Sequence, residues 1–470
     1  MSDEIALLHH LIDQRRDEIV EALQGVLRIP SKKELPAGPT APYGRPIREA
    51  LDYTLTLSRE LGFHVEDFDG HVGHAEFGVG TEMIAALGHL DVVPEGDRWQ
   101  HLPFGAEIDD GYIYARGASD DKGPTYAALF AARALMESGL SLSRRVRVIF
   151  GCDEESGFGC VHHYWEVAKQ ERPVYAFTPD AHFPLIYAEK GISNLVLEKD
   201  VELASEATSG LRVAEARGGL RTNMVPDYAE ARLTGQSSDL ADARTALSNH
   251  WDKNVSTEAD DQSIRIRAVG KSAHGSTPQV GDNAVRRMAR ALLELELPAD
   301  KPWLEWIDRT SDPAGIGLGI QGRDDVAGPL TNNLGILEVD QGHVKIVYNV
   351  RYPVTWKIDD LLSRLKYSID EHGWTLAEHS DSPPLHVPLD QEPVKTLLEV
   401  YRMETGDVTS QPDTMGGGTY ARATPNAVAF GAGFPDGSDG PAHEPDERIS
   451  IDNLIRATKI YAHALYELAK

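Results

Sequence analysis

The sequence contains little cysteine and has a deficit of basic residues. Two of its 470 residues are cysteines, Cys152 and Cys160, which excludes a disulfide framework and indicates a reducing compartment. Lys and Arg together number 46 against 74 Asp and Glu, giving a formal charge of −28. Because phosphate binding needs a basic patch, this balance argues against nucleic acid or an anionic membrane as the main partner.

Long apolar runs are also missing. The longest, such as MIAAL (83–87) and VRVIF (146–150), are far shorter than the roughly 20 residues of a membrane helix. The N-terminus places acids before its first apolar residues, and no secretory signal is evident. We therefore expect a cytoplasmic protein that does not enter a membrane.

Three common catalytic motifs are absent as well. The chain has no H-E-x-x-H helix of single-zinc proteases and no G-x-S-x-G turn of serine hydrolases. Its triple glycine, 416–418, is not followed by the Lys-Ser/Thr pair of a phosphate-binding loop. These absences direct attention to a different constellation of residues.

Strand-like and helix-like segments alternate in the first part of the chain. The stretches 83–91 and 146–150 predict strands, and 125–139 predicts a helix between them. This alternation favours an α/β domain with a largely parallel sheet. Spaced apolar residues predict one N-terminal helix over about 3–28, and Ser450 is placed to cap a C-terminal helix.

The pattern changes after residue 187. Segments such as SIRIRAV (263–269) favour strands, and NAVRRMARALLELE (283–296) favours a helix. We therefore predict a two-domain α/β protein. One domain, with a parallel-rich mixed sheet, is formed by 1–187 and 390–470, and an α+β domain is inserted over 188–389, with two similar halves as one option for its organisation.

Histidine and acidic residues collect in five loops of the predicted α/β domain. The loops are GHLDVVPEG (88–96), GASDDKGP (117–124), GCDEESG (151–157), TPDAHFP (178–184) and GPAHEPDE (440–447). Carboxyl ends of strands are where α/β folds build their sites. A histidine or an acid pair in one such loop is usually an ordinary surface group. Five loops that each supply one predict a divalent-metal site, since imidazole and carboxylate bind zinc and manganese.

The order of these loops and of four further motifs is characteristic. The further motifs are NMVPD (223–227), SAHGSTP (272–278), RYP (351–353) and GGGTYAR (416–422). Together they resemble the co-catalytic two-zinc exopeptidases and aminoacylases, and the stretch 178–191 is most similar to the dipeptidase V branch of that family. Two positions depart from the family pattern: Cys152 replaces a small or hydroxyl residue, and Asn349 precedes RYP where an Asp is common.

The resemblance implies a set of metal ligands. Asp120 would bridge two divalent ions, His89 and Asp180 would complete one site, and Glu155 and His443 would complete the other. The resemblance favours zinc, with manganese or cobalt as open alternatives, because this ligand set suits several divalent ions. The two ions would share a hydroxide that attacks the substrate.

The resemblance also implies catalytic roles for two further acids. Glu154, next to a ligand, would be the general base that takes a proton from water and gives it to the leaving amine. Asp91 would accept the second imidazole N–H of His89 and so fix its tautomer.

Four more residues are predicted to contact the substrate. His274 would stabilise the oxyanion, and Arg351 would bind a free C-terminal carboxylate. Asn223 would donate a further hydrogen bond. Gly417 would let the backbone approach the ligand closely. The inserted domain would then act as a lid over the catalytic domain.

We therefore predict a metallo-dipeptidase that acts on small peptides with free N- and C-termini. One alternative is an N-acyl amino acid deacylase with the same chemistry, and another is a metal-binding or scaffold protein without catalysis. A monomer is favoured over a homodimer.

Overall fold

The computed structural model describes residues 2–201, 210–248, 252–260 and 262–470. It divides the chain into two compact units. The first unit comprises Met1–Ala188, His386–Thr414 and Gly418–Lys470, and the second comprises Glu189–Leu385 with Met415–Gly417. The predicted α/β class with a parallel-rich mixed sheet is confirmed. The predicted boundaries at 188 and 389 stay a prediction, because compactness alone does not define a functional domain.

The first part of the chain provides most of the first unit. Its helices are α1 (Asp3–Gln14), α2 (Arg16–Leu27), α3 (Arg45–Glu60), α4 (Lys122–Ser138) and α5 (Gly159–His162). Its strands are β1 (His64–Phe68), β2 (Val72–Phe77), β3 (Met83–His89), β4 (Glu107–Asp109), β5 (Tyr112–Tyr114), β6 (Arg145–Gly151), β7 (Tyr175–Thr178), β8 (Ala181–His182) and β9 (Ile186–Glu189).

The prediction of one N-terminal helix over 3–28 is wrong. Arg15 leaves the helical region of backbone space, with φ −107° and ψ 12°, so that α1 and α2 are separate helices. Its guanidinium contacts Glu18 and Glu137, each at 2.5 Å. The apolar pattern that predicted one helix skips the polar residues between Ile12 and Ile19. The spacing of the apolar residues therefore gave no information about the helix break at Arg15.

The middle of the chain forms the second unit. Its strands are β10 (Gly191–Asp200), β11 (Arg212–Gly218), β12 (Tyr228–Thr234), β13 (Val255–Ala259), β14 (Ile264–Val269), β15 (Arg323–Asp324), β16 (Gly328–Pro329), β17 (Thr331–Asp340), β18 (His343–Tyr352) and β19 (Thr375–His379), followed by β20 (Leu385–His386) at its end. Its helices are α6 (Ser237–Ser248), α7 (Ala284–Leu292), α8 (Lys301–Thr310) and α9 (Ile358–His372).

The last part of the chain returns to the first unit. It contains α10 (Val394–Thr405) and α11 (Ile451–Ala469), with strands β21 (Asp413–Met415), β22 (Ala427–Ala429), β23 (Ala432–Gly433) and β24 (Arg448–Ser450). The predicted cap of the last helix is confirmed, since the Ser450 side chain accepts a hydrogen bond from the Asn453 N–H. None of the described helices is both long and apolar enough to cross a membrane.

The large sheet of the first unit has the order β1-β2-β6-β3-β7-β22-β9-β20. Its centre is parallel, because β3 pairs in parallel with β6 and β7, and β7 with β22. Helix α4 packs on β3, β6 and α11. Parallel strands end at the same edge of a sheet, so the loops after β3, β6 and β7 lie together.

The second unit is built around an eight-stranded sheet of order β13-β14-β12-β11-β17-β18-β10-β19. Helix α7 packs on β11, β12 and β14, and α9 packs on β19. Large buried side chains such as Met288, Trp303 and Tyr348 fill its core. The sheet therefore has one four-stranded group on each side of the β11–β17 pairing.

Candidate active site

Six polar side chains of the first unit meet beyond the ends of its parallel strands. They are His89 at the end of β3, Asp120 just before α4, Glu154 and Glu155 after β6, Asp180 after β7, and His443 before β24. Donor atoms of His89, Asp120 and Glu155 lie within 4.8 Å of one another, as do donor atoms of His89, Glu154 and Asp180. Four of the five predicted ligands thus occur in these two groups.

Asp120 lies at the centre of this cluster. Its Oδ1 is 3.0 Å from His89 Nε2, and its Oδ2 is 3.0 Å from His443 Nε2. His443 Nε2 is also 2.9 Å from Glu155 Oε1. Asp180 Oδ2 is 4.0 Å from His89 Nε2. One carboxylate therefore has an oxygen directed at each of two histidines, as a bridging ligand requires.

The acids of the cluster are crowded and shielded from solvent. Burial raises the pKa of Glu154, Glu155 and Asp180, since desolvation disfavours their charged forms. Burial alone would also raise the pKa of Asp120, but hydrogen bonds with His443 and His89 outweigh it and hold that pKa well below its usual range. The charged forms of these crowded acids therefore need a compensating positive charge.

The two histidines respond to this negative charge. Burial would lower the pKa of His443, but hydrogen bonds with Asp120 and Glu155 raise it to about 10. The pKa of His89 is raised in the same way, because its bonds with Asp120 and Asp91 outweigh its complete burial. The protonated, positively charged form of the imidazole is therefore favoured beside each of the two oxygens of the Asp120 carboxylate.

These donors fit divalent metal ions. Imidazole nitrogens and carboxylate oxygens are the ligand types of zinc, manganese and cobalt sites, and buried carboxylates in this number are stabilised by cations. The number and identity of the ions stay predictions.

Asp91 holds the loop that carries both glutamates. Its Oδ1 and Oδ2 accept the backbone N–H groups of Glu154 and Glu155, both at 3.1 Å. His89 Nδ1 donates to the Asp91 carbonyl oxygen at 2.9 Å and lies 3.6 Å from its carboxylate. The hydrogen bond to His89 was predicted for the carboxylate, whereas the shorter contact involves the main chain of the same residue. Either contact directs Nε2 of the ring towards Asp120.

Glu447 is a buried residue of the site to which the sequence analysis gave no role. Its Oε1 accepts the backbone N–H groups of Gly117, Ser119 and Asp120 at 2.9–3.1 Å. Its Oε2 accepts from Arg116 Nη1 at 2.5 Å. Glu447 therefore fixes the loop that presents Asp120. Its position four residues after His443, in the same motif, was the available indication.

Asp121 is a second buried acid of the site to which the sequence analysis gave no role. Its Oδ2 accepts from the backbone N–H of His89 at 3.1 Å and from Thr125 Oγ1 at 2.9 Å. Its Oδ1 is buried without a hydrogen-bond partner among the described residues. Burial raises its pKa to about 7. Asp121 thus connects the start of α4 to the end of β3 behind the metal-ligand candidates.

The remaining predicted site residues belong to the second unit. Arg351, near the end of β18, is buried, and its Nη1 donates to the Gly416 carbonyl oxygen at 2.9 Å. A side chain at position 416 would approach Ser276 Cβ to 2.8 Å, which explains a glycine there. The observed backbone contact is thus made by the neighbour of the predicted Gly417.

Asn223 and His274 lie on adjacent exposed loops of the same unit. The Gly275 N–H donates to the Asn223 carbonyl oxygen at 2.7 Å. His274 Nδ1 and Ser276 Oγ share a hydrogen bond of 2.6 Å. Because Ser276 also borders Gly416, the four predicted substrate-contact positions belong to one region of the second unit.

Comparison with known proteins connects these features to a family. The model of peptidase family M20/M25/M40 matches residues 85–467. The Bacillus subtilis (strain 168) protein named "Putative dipeptidase YtjP" is 39% identical over 466 residues, with 97% of this chain and 98% of that protein covered. A Staphylococcus epidermidis protein named "Putative dipeptidase" is 35% identical over 460 residues, with 96% and 97% covered.

A solved structure shares the fold at lower sequence identity. The crystal structure of human carnosine dipeptidase 1 aligns with a TM-score of 0.58 at 16% identity and covers 99% of both chains. The family match and the near full-length relatives extend over the candidate metal ligands of the first unit and the candidate substrate contacts of the second. The chain belongs to peptidase family M20/M25/M40 and is a metallopeptidase.

Proposed function

We propose that this metallopeptidase is a cytoplasmic dipeptidase that hydrolyses dipeptides with free N- and C-termini. The observation that carries the proposal is the cluster around Asp120, in which two histidines and four carboxylates face one another. The relatives named as dipeptidases support it. The buried Arg351 of the second unit supports the specificity for a free carboxylate.

The first unit would hold the ions and move the proton. His89, Asp120 and Asp180 would bind one divalent ion, and Asp120, Glu155 and His443 would bind a second, with zinc as the proposed metal. When bound, such ions polarise the scissile carbonyl and lower the pKa of a water molecule to about 7. Glu154 would accept a proton from that water and transfer it to the leaving amine. Burial raises the pKa of Glu154, which makes its carboxylate a stronger base for the first of these steps.

The second unit would orient the substrate. The Arg351 guanidinium would bind the C-terminal carboxylate through two parallel N–H donors, and His274 would stabilise the oxyanion. The acidic cluster would receive the free amino group. A longer peptide could not satisfy both termini at once, so we propose that chain length is selected electrostatically.

We further propose that opening and closing of the second unit, acting as a lid, limits turnover. We also propose that the active species is a monomer. Sedimentation equilibrium at micromolar concentration tests this, and a mass of two chains would contradict it.

Arg351→Ala tests the substrate class. We expect kcat/KM for a dipeptide to fall by about 100-fold, because charge-assisted bidentate pairs contribute on the order of 3 kcal/mol. Hydrolysis of the C-terminal amide of the same dipeptide should change much less. Arg217→Ala, at an exposed position of the same unit, is the matched control and should leave both rates within twofold.

The same assay separates the alternatives. A deacylase would cleave N-acetyl amino acids faster than dipeptides, since it needs no free amine. A protein without catalysis would hydrolyse neither substrate under any metal condition. Equal loss of both dipeptide and amide hydrolysis in Arg351→Ala would contradict the binding of a substrate carboxylate by this residue.

A further inference from the structure

Three asparagines lie side by side across the middle of the second unit's sheet. Asn194 on β10 is paired in register with Asn349 on β18, which is paired with Asn333 on β17. Directly paired residues of neighbouring strands place their side chains on the same face. Asn333 and Asn349 are each 2% exposed. Asn194 is partly buried, and buried amide groups require specific hydrogen-bond partners.

Asn349 connects this row to Arg351. The two residues are two positions apart on β18 and therefore share a face of the strand. Asn349 Oδ1 accepts from Arg351 Nε at 2.9 Å, and Asn349 Nδ2 donates to Asn194 Oδ1 at 2.8 Å. The amide orientation is thereby fixed, because its oxygen is directed to the guanidinium and its nitrogen to the neighbouring strand.

Asn333 connects the row to the loop of Asn223. Its Nδ2 donates to the carbonyl oxygens of Thr222 and Met224, both at 2.9 Å. The loop that contains His274 borders the same row, since a side chain at Gly275 would approach Asn349 Oδ1 to 3.0 Å. The asparagine row thus contacts the segments that carry three of the predicted substrate-binding residues.

The charge of the residue at position 349 has a direct physical consequence. An amide oxygen accepts a hydrogen bond from the guanidinium without adding a negative charge, whereas a carboxylate of the same shape would form a stronger, charge-assisted bond. Such a carboxylate would compete with an incoming anion for the guanidinium and would repel that anion. Asn349 orients Arg351 through Nε and contributes no competing charge.

We propose that Asn349 is a specificity-determining residue, whose neutral amide positions the Arg351 guanidinium for the carboxylate of the substrate. This inference rests on the proposed function, in which Arg351 binds that carboxylate. It goes further because it makes the strength of the contact between Arg351 and the substrate carboxylate depend on Asn349, which does not itself contact the substrate.

Asn349→Asp in the full-length, metal-loaded enzyme tests the inference. The substitution conserves shape and adds one negative charge beside Arg351. We expect KM for a dipeptide to rise at least tenfold with less than a threefold change in kcat, and KM for the dipeptide amide to change less than threefold. Asn254→Asp, the same change at an exposed position of this unit, should leave every parameter within twofold.

Two results would overturn the inference. One is an unchanged KM for the dipeptide in Asn349→Asp when Arg351→Ala raises it, an outcome that leaves the proposed function intact. The other is an equal effect of Arg351→Ala on dipeptide and amide, which removes the carboxylate contact of Arg351 and the inference that depends on it. A loss of affinity confined to the substrate with a free carboxylate would not arise from a general disturbance of the sheet.

A second variant covers a failure of Asn349→Asp to fold, as judged by circular dichroism. Asn349→Ser removes the oxygen that Arg351 Nε contacts and adds no charge. We expect a rise of at least threefold in KM for the dipeptide and a smaller rise for its amide. An unchanged ratio of the two KM values in this variant would show that Asn349 does not position Arg351.

Discussion

Two adjacent glutamates of the first unit have different surroundings. Glu155 lies 2.9 Å from His443, whereas Glu154 groups with His89 and Asp180. The Asp91 carboxylate accepts the backbone N–H of each glutamate. One buried acid thus fixes the main chain at both positions, and the side chains of the pair are free to take separate roles.

The first prediction separates these roles. In Glu154→Gln we expect kcat to fall by about 10²–10⁴-fold, because the amide cannot accept the proton from water, with metal content unchanged. In Glu155→Gln we expect metal content to fall as well. Steady-state kinetics combined with elemental analysis of dialysed protein measures both effects. Full activity in Glu154→Gln would contradict its role as the base.

The predicted ligands were accessible to sequence analysis because each lies in a short motif with glycine or proline beside it. Glu447 was not, since its partners are backbone N–H groups about 330 residues away in the sequence. When a carboxylate accepts hydrogen bonds from backbone N–H groups, the residue types of its partners do not reveal the contact, because almost every residue has such a group. Such supporting residues become visible only when the loops they contact are brought together by the fold.

At the scale of secondary structure, local sequence patterns were informative where interactions between residues close in sequence determine the structure. The Ser450 cap depends on residues within one helical turn. Arg15, at the break between α1 and α2, forms an ion pair with Glu137 of α4, a contact that no local pattern contains. Tertiary contacts of this kind override periodicity at the ends of elements.

The second prediction concerns three helices of the first unit, α1, α10 and α11. Glu404 on α10 contacts His9 of α1 at 3.2 Å and His463 of α11 at 2.7 Å. Burial would raise the pKa of Glu404 from its ordinary value of 4.5, but the bonds with His463 and His9 lower it to about 2. A carboxyl group whose pKa is lower in the folded than in the unfolded state stabilises the fold at any pH above its unfolded-state pKa. This contribution is lost as the pH falls towards the folded-state pKa.

We therefore expect Glu404→Gln to reduce the free energy of unfolding by about 3 kcal/mol at pH 6. The difference from the wild type should shrink between pH 4.5 and pH 2. Urea unfolding across this range measures it. A difference that grows on acidification would contradict the assigned direction of the shift.

At the scale of the molecule, the crowded acids around Asp120 predict a dependence of stability on metal. Removal of divalent ions by a chelator should abolish hydrolysis and lower Tm by about 5–10 °C, because ligands that bind only the native state stabilise it by mass action. Differential scanning calorimetry with zinc, manganese or cobalt restored in turn measures both recoveries. An unchanged Tm after verified loss of metal would contradict a site formed by the Asp120 cluster.

The overall class of the fold was predictable because strands and helices alternate with clear periodicity. The assignment of Met415–Gly417 to the second unit was not, since these residues lie in sequence among segments of the first unit. The hydrogen bond from Arg351 to the Gly416 carbonyl oxygen and the one from the Lys190 N–H to the Met415 carbonyl oxygen indicate why these three residues separate from their neighbours.

This three-residue segment makes the polypeptide pass between the two units four times. A recombinant fragment of residues 189–385 would retain every strand from β10 to β19 and still lack the Gly416 carbonyl that Arg351 contacts. The inserted region is therefore incomplete as a continuous piece of sequence. Grafting it onto a related enzyme requires the transplantation of a second, much shorter stretch from near the C-terminus.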